Sequence, residues 1–117
     1  MSPITTHILD VASGRPAAGV AVVLERSEGE TWAPVGRGQT NDDGRCDAPL
    51  LAGDAMQKGR YQLLFKVAEY LRRCGDDLPE IPFLDDVVIN FGVEDSEQHY
   101  HVPLLLSAYG YSTYRGS

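Results

Sequence analysis

A chain of 117 residues, 43% hydrophobic and 23% charged, is expected to form one globular domain over residues 1–117, and this composition excludes disorder and collagen-like repetition. Ten Lys plus Arg against seventeen Asp plus Glu give a net charge of −7, a field that repels phosphate backbones and anionic membrane surfaces, so neither nucleic acid nor a membrane is expected as a partner. Twelve Gly and seven Pro are more than a fold of long helices tolerates and imply many turns. Cys46 and Cys74, with no CxxC, read as two reduced thiols. Met1 to His7 lack the basic start and apolar run of a signal peptide, and no stretch approaches the roughly 18 apolar residues of a membrane span, so a soluble cytoplasmic protein is expected.

Short apolar or β-branched runs alternate with turn chemistry, the pattern of an antiparallel sandwich or barrel. Ile4–Leu9 is a first strand, and Ser13-Gly14-Arg15-Pro16 is a turn. Val20–Arg26 follows, with Val22 and Val23 both apolar, as in a strand covered on both faces. Thr31–Gln39 is a third strand, and Asn41-Asp42-Asp43-Gly44 is a turn that aims Arg45 into a short fourth. Arg60–Lys66 is the fifth. Residues 67–74 form the one helical segment, two turns with Arg72 and Arg73 at the C-terminal end of the dipole and Gly75 as a left-handed cap. Asp76–Asp86, with Pro79 and Pro82, is a loop. Strands over Val87–Glu94, His99–Leu106 and Tyr111–Arg115 complete an expected all-β sandwich of eight strands and one short helix.

The chain lacks GxSxG, Walker, GxGxxG, HExxH and EF-hand patterns. The acidic pairs Asp42-Asp43, Asp76-Asp77 and Asp85-Asp86 lie in loops and read as solvated turns, because calcium loops need carboxylates at alternating positions plus a distant Glu. What remains is a sparse polar set within strands: His7, Arg45, His99, His101, Tyr114 and Arg115. Strand alternation places Tyr100, Val102, Leu104 and Leu106 on the core face and His99, His101, Pro103 and Leu105 on the other. His99 reads as solvent-facing and functionally silent. Two histidines at i and i+2 suggest zinc, but no Cys or carboxylate follows at a ligand-like spacing, so no metal is expected. Around His7 neither strand face is decisively apolar, and Arg45 reads equally as a surface charge at a strand edge. Composition and periodicity stop at an acidic β-sandwich.

Five blocks in order carry a resemblance further: Thr5-Thr6-His7-Ile8-Leu9-Asp10, Gly14-Arg15-Pro16-Ala17, Thr40-Asn41-Asp42-Asp43-Gly44-Arg45-Cys46, His99-Tyr100-His101-Val102-Pro103-Leu104-Leu105 and the terminal Tyr114-Arg115-Gly116-Ser117. Together they resemble the 5-hydroxyisourate hydrolases of the transthyretin-like superfamily, in which the terminal tetrapeptide separates hydrolases from the hormone carrier. The match is loose over Leu63–Leu84, and Ala108 stands where many relatives have Pro. The resemblance implies a two-sheet prealbumin-like sandwich and a homotetramer, a dimer of dimers with its sites in the channel between dimers. It implies hydrolytic ring opening of 5-hydroxyisourate to 2-oxo-4-hydroxy-4-carboxy-5-ureidoimidazoline in urate degradation. Catalytic roles are implied for His7, Arg45, His101, Tyr114 and Ser117, and substrate contacts for His7, Arg45, Tyr114, Arg115 and Gly116, without metal or cofactor. His101 or His7 is expected as general base, Arg45 as the donor to the carbonyl or oxyanion, and Tyr114 as a positioning group. A transthyretin-like carrier of an aromatic ligand is the alternative.

Overall fold

The computed structural model describes residues 3–74 and 78–117. It contains β1 (Ile4–Asp10), β2 (Arg15–Pro16), β3 (Ala21–Glu28), β4 (Thr31–Gln39), a 3-10 turn (Gly53–Ala55), β5 (Gly59–Phe65), α1 (Val67–Cys74), β6 (Val87–Val93), β7 (Tyr100–Ser107) and β8 (Gly110–Thr113). Two four-stranded sheets form, ordered β2-β1-β7-β8 and β4-β3-β5-β6, the two layers of a sandwich. The first sheet holds the only parallel pair among the described strands: β1 lies beside β7 with Thr5 opposite His101 and His7 opposite Pro103. That pairing joins segments about ninety residues apart, which neither local propensity nor turn chemistry specifies.

The core lies between the sheets. Ile4, Thr6 and Ile8 of β1 and Tyr100, Val102, Leu104 and Leu106 of β7 are buried there, and from the other sheet Val22, Leu24, Tyr61, Leu63 and Phe65 meet them. The face of β1 that the sequence left undecided is thus settled. Thr6 is tolerated among apolar neighbours because its hydroxyl donates to the Val102 carbonyl at 2.7 Å, so no polar atom is stranded. Helix α1 follows β5 after one residue and buries Val67, Ala68, Tyr70 and Leu71. The Tyr70 hydroxyl donates to Asp10 Oδ2 at 2.9 Å, and burial together with that carboxylate raises its pKa above the usual range for tyrosine.

Eight strands are present among the described residues, as expected, but two segments exchange roles. The short strand at Arg45 is not one: it reduces to single bridges, His7 with Arg45 and Thr40 with Cys46. The Ser13–Pro16 turn instead supplies the two-residue edge strand β2, which pairs with Leu9 and Asp10. Nor is β3 covered on both faces. Val22 is buried and Val23 is half-buried, the alternation of a strand with one core face. A bulge where Val35 has no partner breaks the β3–β4 register, next to Pro34 on the edge strand β4. The proposed caps at Gly75 and the pair Asp76-Asp77 lie outside the described residues. Among the described residues, no helix is long and apolar enough to cross a membrane. Cys46 and Cys74 are both free thiols.

Candidate active site

Residues at i and i+2 of β1 that avoid the core, Thr5 and His7, share the outward face of the first sheet with His101 of β7. Arg45 joins them through its turn. Asn41 Oδ1 accepts from the amides of Asp43 at 2.8 Å and Arg45 at 3.2 Å, and Gly44 takes the left-handed conformation at φ +75°. A Cβ at Gly44 would stand 2.5 Å from the Ile8 carbonyl oxygen, so glycine is required twice over, by φ and by close approach. The Ile8 amide donates to the Gly44 carbonyl at 2.9 Å, which ties the turn to β1 beside His7.

The C-terminal tail forms the remaining wall. Pairing of β8 with β7 ends at Leu104–Thr113, and the next outward-pointing donor on β7 would belong to Pro103, which has none. The chain leaves the sheet there, with Thr113 Oγ1 donating to the Pro103 carbonyl at 2.7 Å, and returns when the Gly116 amide donates to the His101 carbonyl at 2.8 Å. Gly116 then lies on the His101 imidazole so closely that a Cβ would come within 2.5 Å of Cδ2. The result is an open cleft of about 460 Å³ whose lining includes Thr5, His7, Arg45, Cys46, His99, His101, Pro103, Tyr114, Gly116 and Ser117.

Of the residues singled out in the sequence, His7, Arg45, His101, Tyr114, Gly116 and Ser117 meet in this cleft. Arg115 does not. Its guanidinium turns away, donating to Gln98 Oε1 at 3.0 Å and the His99 carbonyl at 3.1 Å and stacking 4.3 Å above the Tyr100 ring. Alternation explains this: neighbours along an extended tail point to opposite sides, so Arg115 anchors the tail that Tyr114 and Gly116 use to face the cleft. Thr5 escaped the reading of the sequence. Its Oγ1 lies 2.8 Å from His101 Nδ1 and 2.8 Å from His99 Nε2, so His99, exposed to solvent as expected, is also hydrogen-bonded into the site. Only the long-range β1–β7 register brings them together; the one local hint was Thr5 two residues before His7.

The electrostatics favour neutral imidazoles. Burial first, then the Arg45 guanidinium, hold His7 below its ordinary pKa of 6.5, against an opposing hydrogen bond to the Asp43 backbone. His101 is lowered by burial, by Arg45 and by the neighbouring His99 and His7. Burial and Asp47 push the Cys46 thiol up, which keeps it a poor nucleophile. Two imidazoles in base form, a guanidinium and a phenol around a polar cleft can activate a water and hold a developing oxyanion. Among the described residues, no three His, Cys, Asp or Glu side chains converge closely enough to hold a metal ion.

The same architecture is found in known proteins. A 5-hydroxyisourate hydrolase of Mesorhizobium japonicum is 54% identical over 114 residues, covering 97% of this chain and 91% of the relative. The solved structure of the Klebsiella pneumoniae 5-hydroxyisourate hydrolase covers 100% of both chains at 36% identity with a TM-score of 0.82. Sea bream transthyretin in complex with thyroxine superposes with a TM-score of 0.86 at 26% identity, over 97% of this chain and 94% of that one. The pattern of the HIUase/Transthyretin family matches residues 4–116. With its two-sheet sandwich, its outward histidines and this match, the chain belongs to the HIUase/Transthyretin family.

Proposed function

We propose that this protein is a 5-hydroxyisourate hydrolase, opening the ring of its substrate to 2-oxo-4-hydroxy-4-carboxy-5-ureidoimidazoline in urate degradation. The observation that carries this reading is the convergence of His7, Arg45 and His101 with the returning tail Tyr114–Ser117 on one sheet face. An apolar ligand to be carried unchanged gives little reason to gather two neutral imidazoles and a guanidinium. In the mechanism, a water bound between the two imidazoles attacks a ring carbonyl. With Nδ1 engaged by Thr5, His101 presents Nε2 as the general base, and His7, whose N–H is engaged by the Asp43 carbonyl, orients the water through its other nitrogen. Arg45 donates to the carbonyl oxygen as negative charge develops. The ring C–N bond breaks and His101 returns the proton to the departing nitrogen. Tyr114 positions the substrate ring and Ser117 closes the pocket, while Arg115 acts through the tail it anchors.

The cleft is walled on one side by the protomer and open on the other, with Tyr114 exposed in its lining. The open side of the cleft supports a working homotetramer, a dimer of dimers whose channel encloses the site; we infer that it acts in the cytoplasm and without metal or cofactor. Decay of freshly generated 5-hydroxyisourate, followed with and without protein, tests the reading directly. Acceleration that persists in EDTA is expected. No acceleration overturns the hydrolase assignment, and a loss that zinc restores overturns the metal-free mechanism.

A further inference from the structure

The Thr5 hydroxyl bridges two imidazoles, at 2.8 Å from His99 Nε2 and 2.8 Å from His101 Nδ1. A hydroxyl owns one hydrogen, so when it donates to one ring it accepts from the other. Two arrangements relay a proton preference from one ring to the other through this hydroxyl, and they are opposed. If neutral His99 accepts from Thr5, then Thr5 accepts from His101 Nδ1–H, and His101 Nε2 carries a lone pair. If His99 is an imidazolium, its Nε2–H donates to Thr5, Thr5 donates to His101 Nδ1, and the proton of a neutral His101 sits on Nε2, where it can no longer accept one from water.

The fold holds this string in place. Thr5 and His101 are direct partners in the parallel β1–β7 pair. Gly116 covers the His101 ring, and Arg115 grips the His99 carbonyl. His99 is exposed, whereas His101 is half-buried. Among the described residues, the charged or titratable side chains lining the cleft with this pair are Arg45, His7, Cys46 and Tyr114, and Arg115 lies on the His99 side.

We propose that Thr5 is a positioning residue that makes His101 a base only while His99 is neutral, so that His99 gates the hydrolytic histidine according to pH. The inference rests on the hydrolase reading above for its effect on turnover, though not for the coupling of the two rings.

Two effects of removing His99 have opposite signs, which makes the test sharp. On charge alone, His99→Ala removes a cationic neighbour, raises the His101 pKa and moves the acid limb of kcat/KM to higher pH. The gate predicts the reverse: freed of His99, Thr5 accepts from His101 at any pH, and the limb moves to lower pH. Thr5→Val should lower kcat about 10-fold or more with KM changed less than about twofold, and Thr5→Ser should recover most of it. The second readout needs no substrate. In the ligand-free protein, 15N NMR of the imidazoles should show the His101 tautomer changing as His99 titrates in wild type, and the two rings titrating independently in Thr5→Val. An acid limb that stays or rises in His99→Ala, or independent titration in wild type, overturns the gate. Failure of wild type to hydrolyse 5-hydroxyisourate instead overturns the hydrolase reading and leaves the NMR result to decide the coupling. If Thr5→Val does not fold, the His99→Ala spectra answer the same question, since His101 should then keep its Nδ1 proton across the range where His99 titrates in wild type.

Discussion

His7 and His101 differ from ordinary surface histidines in one respect: burial and the nearby Arg45 charge favour the neutral imidazole in both. With pKa values below 6.5, each is a base at neutral pH, so kcat/KM should be flat above neutrality and fall on the acid side. A pH–rate profile checks this, and an acid limb centred above 7 would contradict it. The same shifts have a stability consequence. Between the depressed folded value and 6.5 the unfolded chain binds more protons than the folded one, so stability should decline as pH falls through that window. His7→Asn and His101→Asn should each cost about 100-fold or more in turnover while circular dichroism stays native. Near-wild-type rates in both would remove the water-activation role. Arg45→Lys should lower kcat about 10-fold or more, because a point charge does not reproduce the planar fork of donors; unchanged kinetics would return Arg45 to the surface charges.

Among the elements, the segment from Leu104 to Gly116 shows how backbone chemistry sets side-chain chemistry. Proline at 103 has no amide to offer the tail side of β7, which lets residues 114 and 115 leave the ladder before Gly116 rejoins it at His101. Gly116→Ala should therefore damage the site rather than the fold. Its Cβ would meet His101 Cδ2 at 2.5 Å, and a displaced imidazole should lower kcat about 10-fold to 100-fold with a melting temperature close to wild type. Unchanged kinetics would show that the tail does not clamp the ring. The strands themselves were largely legible: β1, β4, β5 and β7 fall within two residues of where alternation and turns place them. The exchange of the Arg45 strand for β2 was not, because a two-residue strand is a product of its neighbour's register and leaves no period to detect.

For the whole molecule, the core and the site sit on opposite faces of the same strands, so they should be separable. Deleting Tyr114–Ser117 removes no residue of the buried core and should abolish hydrolysis with little loss of cooperative thermal unfolding. A truncated protein of full activity would refute the role of the tail. If the channel between dimers encloses the site, specific activity should fall on dilution in step with loss of the tetramer by sedimentation, and full activity in a stable monomer would refute the shared site.

By itself the sequence determined the layer architecture, the core face of β7, the helix at 67–74 and, through the resemblance of five motif blocks, the residues His7, Arg45 and His101. These are local properties: side-chain period, turn chemistry and residue identity all act over a few positions. Only the tertiary structure decided the face of β1, the departure of Arg115 from the cleft and the union of Thr5 with His99 and His101. The turn of Arg115 follows from its contacts with Gln98, His99 and Tyr100; the other two depend on the parallel register of β1 against β7, which is set when Ile4, Thr6 and Ile8 enter the common core beside Val102, Leu104 and Leu106. Burial selects that register for the sum of its apolar contacts, since a slip of one residue would turn every buried side chain outward. The histidines are brought to one hydroxyl on the opposite face as a consequence, and no local feature of the chain encodes it.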